Sequence, residues 1–326
     1  MHPIRRILVA VKDPQAKSLP AVTKAAQLAK ALGASLELFH GISSPLVLDA
    51  YALSGAFPEV ERETRQECAA KLERIAAGLR TGGIEVAVSA RWDYPVYEAI
   101  IRRARQIQAD LIVAERHVGK HIVPGLLHLT DWELLRLSPV PVLLVKTAGS
   151  YQRPTILAAI DPAHTFSKPA KLDAEILQAS SLFATALRGT THAVHAYIQV
   201  PAVPSRRVTA DTIKAIAAQA AEEAQGRFEQ ALAKSGIPRK RRHLVGRHPI
   251  DAIEQTAREI DSDIVVMGAI SRSGLKRLMI GNTAESVLDS LTCDLLIVKP
   301  RTFVAKVPAA PRGVRYMTSP LVQVPY

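Results

Sequence analysis

The chain has 326 residues, 48% hydrophobic and 22% charged, with 42 Lys/Arg against 30 Asp/Glu and a net charge of +12. This length predicts two domains, and the composition excludes a mainly disordered chain. No apolar run is long enough for a membrane helix, and the apolar part of MHPIRRILVAVKD is too short for a signal peptide. Cys68 and Cys293 cannot build a disulfide framework, so a cytoplasmic protein without a membrane span is expected.

The charge is spread evenly. Residues 1–150 and residues 151–300 each carry 19 Lys/Arg and 15 Asp/Glu, and residues 301–326 carry four bases and no acid. No large block is strongly basic, which argues against specific nucleic-acid recognition and leaves only weak, salt-sensitive polyanion contacts.

In chain order, ILVAV (7–11) reads as a buried strand and residues 21–33 as a helix closed by Gly33. SLELFHGI (35–42) is a strand, residues 61–80 a helix, residues 85–90 a strand and residues 96–108 a helix. Residues 110–114 form the next strand, residues 130–137 a helix and residues 140–146 a last strand. After a linker at 148–154, ILAAI (156–160) restarts the same order, with strands at 191–198, 240–246, 263–268 and 294–299. Its helices are expected at 171–189, 211–236, 250–260 and 282–291.

The chain repeats itself. EAIIRRARQIQADLIV (98–113) aligns with DAIEQTAREIDSDIVV (251–266) at an offset of 153, and the same offset aligns PVLLVK (141–146) with DLLIVK (294–299). Continuous Val/Ile/Leu strands alternating with amphipathic helices imply parallel sheets covered on both faces. The expected fold is therefore α/β, with two tandem doubly wound five-stranded domains packed pseudo-symmetrically. The domains are expected at 1–147 and 155–300, and residues 301–326, with four prolines, form an extended basic tail.

The segment with most chemistry is GAISRSGLKRLMIGNTAE (268–285), between a strand and a helix. Gly268 allows a sharp exit from the strand, and Gly281 lets main chain approach a ligand. Asn282 with Glu285 makes a capping-box pattern, and the free N–H groups of such a helix start suit phosphate. A well-capped loop with no ligand fits these local features equally well.

The element order, the Asp after the first strand of the second copy, and the Gly-loop-Gly before its last helix resemble the universal stress protein family in its tandem form. The resemblance covers residues 5–300. The family's nucleotide-binding branch carries Gly-x-x-Gly, nine residues, then Gly-Ser/Thr. Here Gly268-x-x-Ser271 is followed by nine residues and Gly281-Asn282, so the spacing is kept while Ser271 and Asn282 depart from the pattern. The resemblance implies that Asp161 lies near an adenosine moiety and that main chain at Ala196 meets adenine. It places phosphate against Gly268, Ser271, Gly281, Asn282 and Thr283. The implied ligand is ATP or a related adenine nucleotide, accompanied by Mg²⁺. The implied role is stress resistance through binding, with ATP hydrolysis slow at most. A homodimer of the pseudo-symmetric monomer is an open alternative.

The first copy breaks the pattern. Lys12 stands for Asp161, Glu115 for Gly268, Val118 for Ser271 and His128 for Gly281, while Thr130 matches Thr283. Side chains there obstruct the approach of main chain to phosphate, so this copy is not expected to bind ATP in the family's manner.

Other features have plainer readings. His117, His121, His128, His192 and His195 show no zinc-like spacing, and no glycine-flanked nucleophile appears. His40 and His195 lie near second-strand ends and could approach a crevice. Arg239-Lys240-Arg241-Arg242 reads as a solvated turn, and Trp92 and Trp132 as packing residues. Residues 45–60 and 198–208, apolar and proline-containing, could cover a crevice. They keep two rival readings open: a carrier of an apolar or lipid-like metabolite, and an interaction protein without a ligand.

Overall fold

A computed structural model of the chain describes residues 3–43, 46–48, 57–116, 128–163, 172–197, 209–268, 287, 290–300, 302–313 and 316–318. The chain folds as two compact units. One comprises His2–Ser150 with Val304–Tyr326, and the other Tyr151–Phe303.

In the first unit the order is β1 (Arg6–Ala10), α1 (Pro20–Leu32), β2 (Ser35–Ile42), β3 (Leu46–Leu48) and α2 (Phe57–Thr81), then β4 (Val86–Trp92), α3 (Val96–Gln106), β5 (Leu111–Glu115), α4 (His128–Leu137) and β6 (Val142–Val145). Its large sheet runs β4-β2-β1-β5-β6, and every pair is parallel. Central β1 and β5 are buried almost throughout, as expected for strands covered on both faces, whereas edge strand β4 alternates. α1 starts on Pro20, which lacks only a donor that the first helical turn leaves unused. It ends where Gly33, at φ 65°, returns its N–H to the Ala29 carbonyl. The stripe Ala21, Val22, Ala25, Leu28 and Ala29 is buried, at the spacing of one helix face.

The second unit repeats the plan with β7 (Thr155–Ala159), α5 (Leu172–Leu187), β8 (Thr190–Ala196), α6 (Ala210–Leu232), β9 (Arg242–Val245), α7 (Pro249–Glu259), β10 (Ile264–Gly268) and β11 (Asp294–Val298). The parallel order is β11-β10-β7-β8-β9. The expected doubly wound, five-stranded, parallel α/β domains are thus present twice. The helix expected at 282–291 lies largely outside the described residues.

Both units use the repeated aspartate in the same way. Asp110 accepts the main-chain N–H groups of Arg5 and Arg6 at 2.8 and 3.0 Å. Asp263 accepts that of Thr155 at 2.8 Å. Each carboxylate ties the start of one central strand to the turn before its neighbour, so these repeat identities are structural. Tyr151, within the expected linker, is buried and donates its hydroxyl to Asp294. It therefore anchors the second unit rather than spanning open solvent.

The tail folds back within the first unit. β12 (Tyr316–Thr318) pairs in parallel with β3, and Val307 is buried. Arg105 and Arg102 donate to the Val307 and Pro308 carbonyls at 3.2 and 3.4 Å. Arg312 grips Glu98 through Nε and Nη2 at 2.9 and 2.8 Å, while its main-chain N–H donates to Asp93 at 2.8 Å. Among the described residues, no helix is long and apolar enough to cross a membrane.

Candidate functional site

In the second unit the chain leaves β7 toward β8 and β9, then returns to add β10 on the other side. Connections that depart in opposite directions leave a crevice at the carboxyl ends of the central strands. Ala159, near the end of β7, is registered with Met267 and Val194 on the two flanking strands. Asp161 follows β7 by two residues, Ala196 ends β8 and Gly268 ends β10. The fold thus brings these three sequence-predicted residues to adjoining strand ends. Ser271, Gly281, Asn282 and Thr283 lie outside the described residues.

Asp161 is held from below. Its main-chain N–H donates at 3.0 Å to Asp173, a buried carboxylate in the first turn of α5. Sequence reasoning missed Asp173, because an acid in a first helical turn is ordinary. Gly268 has a second requirement beyond the strand exit. A Cβ there would lie 2.5 Å from Leu172 Cδ2 and 2.9 Å from Cγ, so α5 packs directly over that main chain.

The two second-strand histidines play matching parts. His40 Nδ1 lies 2.8 Å from the Val11 carbonyl, and His195 Nδ1 lies 3.3 Å from the Ile160 carbonyl. A carbonyl only accepts, so Nδ1 carries the proton in both. His195 is 1% exposed and lies against the Phe228 ring, with centroids 5.8 Å apart. It braces the crevice floor.

The corresponding crevice of the first unit encloses a cavity of about 230 Å³. Lys12, His40, Glu115 and Asp131 supply its charged and imidazole groups, and Phe39 and Ile100 part of its apolar wall. Glu115 and Asp131 thus set two carboxylates against the single ammonium of Lys12 in the lining. Val118 lies outside the described residues, while His128 and Thr130 fall in the first turn of α4.

Among the remaining histidines, His117 and His121 lie outside the described residues. His192 and His243 meet on the edge pair β8–β9, with Nδ1 and Nε2 3.0 Å apart and nearly parallel rings. Burial first, then His243 and Arg241, lower the His192 pKa from 6.5 to about 4. Burial also lowers His243. The unfolded chain therefore binds more protons between these values. The pair's contribution is present above pH 6.5 and lost as pH falls toward 4. Urea midpoints recorded from pH 7 to pH 4 should fall, and His192→Asn should flatten that slope. An unchanged slope in the variant would remove the pair from the acid response.

Two successive doubly wound units, each with a crevice at its switch point, define the class: a tandem repeat of parallel α/β domains. The sequence pattern of the universal stress protein family matches residues 3–146 and again residues 153–299, and the chain belongs to that family. It is 26% identical over 308 residues to universal stress protein E of Escherichia coli strain K12, covering 90% of this chain and 93% of that protein. It is 27% identical over 321 residues to universal stress protein E of Photorhabdus laumondii, covering 93% and 98%. A functionally unknown protein, PA1789 of Pseudomonas aeruginosa PAO1, superposes with a TM-score of 0.70 at 27% identity, over 91% of this chain and 93% of that one.

Proposed function

We propose that this is a cytoplasmic stress-resistance protein that acts by binding an adenine nucleotide, or another phosphate-bearing ligand, in the crevice of the second domain. One observation carries the reading. Asp161, Ala196 and Gly268 end three neighbouring strands at the switch point, and the Gly268 to Gly281 spacing of the nucleotide-binding branch is kept. Gly268 ends β10 at the crevice, its missing side chain leaving room for Leu172 of α5. Asp161, fixed through Asp173, offers a carboxylate to ribose hydroxyls. The residues of the loop that follows, through Thr283, would meet the phosphates. Mg²⁺ would enter with a triphosphate, its ligands supplied mainly by phosphate oxygens. Turnover is expected to be slow at most, since the sequence offers no evident base or nucleophile-orienting residue, and His195 is buried and holds the Ile160 carbonyl.

Native mass spectrometry with Mg-ATP tests this directly. One nucleotide per chain is expected. It should be lost in Gly281→Asp and weakened about tenfold or more in Asp161→Ala, since a hydrogen bond to a charged group contributes about 1.5–3 kcal/mol. A protein that stays bare at millimolar nucleotide would sink the reading. The rival reading, a carrier of an apolar metabolite, has the apolar wall of the first-domain cavity in its favour. A co-purified apolar mass in the same spectra would select it.

A further inference from the structure

The basic run at 239–242 is divided by the fold. Arg239–Arg241 form a single 3-10 turn, and Arg242 opens β9. Arg242 is committed internally, donating to the Ile237 carbonyl at 2.8 Å and pairing with Glu229. Arg241 instead lines a cavity of about 360 Å³ at the amino ends of β8 and β9, the opposite end of the sheet from the crevice.

Arg188 enters the same cavity from the turn after α5. That turn is fixed on both sides. Arg188 sits at φ 55°, and Gly189 donates its N–H to the Ala184 carbonyl at 2.8 Å. The hydroxyl-bearing residues Ser181, Thr185, Thr190, Thr191 and Ser235 complete the polar lining, and among the described residues no carboxylate lines it. Neither Arg188 nor Arg241 has an acid partner among the described residues. Arg103 and Arg80, by contrast, are matched with Glu37 and Glu73. The α5 carboxyl end contributes about half a negative charge. Two guanidiniums outweigh it and leave a clear positive excess. Guanidinium forks and hydroxyl donors are the groups that bind phosphate oxygens. The volume falls at the lower end of small-molecule sites, so an organic group of modest size fits beside the anion.

We propose that this cavity is a second ligand site, separate from the crevice, that takes the phosphate group of a small phosphomonoester or free phosphate between Arg188 and Arg241.

Calorimetric titration of the full chain with inorganic phosphate and with glycerol phosphate, at fixed chloride, tests it. Saturable one-to-one binding is expected, with a thermal midpoint that rises with ligand. Arg188→Ala and Arg241→Ala should each weaken it about tenfold. Tighter binding of glycerol phosphate would identify a phosphomonoester ligand, and tighter binding of the inorganic ion free phosphate. Lys240→Ala removes an exposed charge that does not line the cavity, and should change nothing. Gly281→Asp, which blocks the phosphate loop of the nucleotide crevice, should also change nothing, which separates this site from that crevice. Three results would overturn the proposal. They are no saturable binding of either probe up to about 10 mM, an equal loss in Lys240→Ala, and loss of phosphate binding in Gly281→Asp.

Discussion

Replacing Arg102 with methionine is expected to cost the first unit about 3–5 kcal/mol, the range for breaking one partner out of a buried ion pair. Asp93, Glu98 and Arg102 are 4%, 5% and 9% exposed. Arg102 binds Asp93 through Nε at 2.8 Å and Nη2 at 2.7 Å, and Glu98 through Nη1 at 2.9 Å. Arg312 supplies the second positive charge, so two carboxylates meet two guanidiniums. Methionine keeps much of the volume, so the loss is mainly electrostatic: among the described residues, Asp93 keeps the main-chain N–H of Arg312 as its hydrogen-bond donor. Chemical denaturation should show it as an earlier transition of the first unit, and a loss under about 1 kcal/mol would refute this account. Arg312→Met should cost less, since Arg312 is 48% exposed and solvent screens its charge. Burial would raise the pKa of Glu98, but the bonds from Arg312 and Arg102 prevail and hold it below its ordinary 4.5. This stabilisation is therefore present above pH 4.5 and lost as pH falls through the lower folded value. In Arg312→Met the acid loss should begin at higher pH, and proteolysis near residue 312 should increase.

Gly189→Ala should damage the second unit more than Gly268→Ala does, at about 3 kcal/mol. The added Cβ would lie 2.2 Å from the Pro154 carbonyl oxygen and 3.0 Å from Pro154 Cδ and N. That oxygen is already engaged, accepting the Thr190 N–H at 2.9 Å at the point where β8 begins. The obstacle is main chain, so no rotamer relieves it. Gly268→Ala meets the Leu172 side chain instead, which can turn at a cost of about 1–3 kcal/mol. Thermal unfolding should rank Gly189→Ala below Gly268→Ala, and the reverse order would contradict this contact geometry.

Much of this architecture can be read from the residues. β1, β5, β7, β10 and β11 are continuous apolar runs because both faces of their sheets are covered, and the offset of 153 links equivalent segments. Asp161, Ala196 and Gly268 could be named because the family resemblance carries them over, and placed because a strand's end can be located even when its neighbours cannot. The tail is not legible in this way. β3 and β12 are three residues each, too short for any periodicity, and their pairing joins positions nearly a chain length apart. Arg312 looks like one more tail charge until the fold puts it on Glu98. The basic run is legible only in its first half. Arg239 and Lys240 are exposed, as a solvated turn requires, whereas Arg241 lines a cavity and Arg242, opening β9, pairs with Glu229.

The return of the tail also has a consequence for synthesis. Glu98 leaves the ribosome 214 residues ahead of Arg312. At bacterial-to-eukaryotic elongation rates of about 5–20 residues per second, that is a wait of roughly ten to forty seconds. The whole of Tyr151–Phe303 is translated in that interval. A nascent chain therefore carries an acidic socket with one guanidinium too few while its second half is being made. The domain that is translated first is the one completed last.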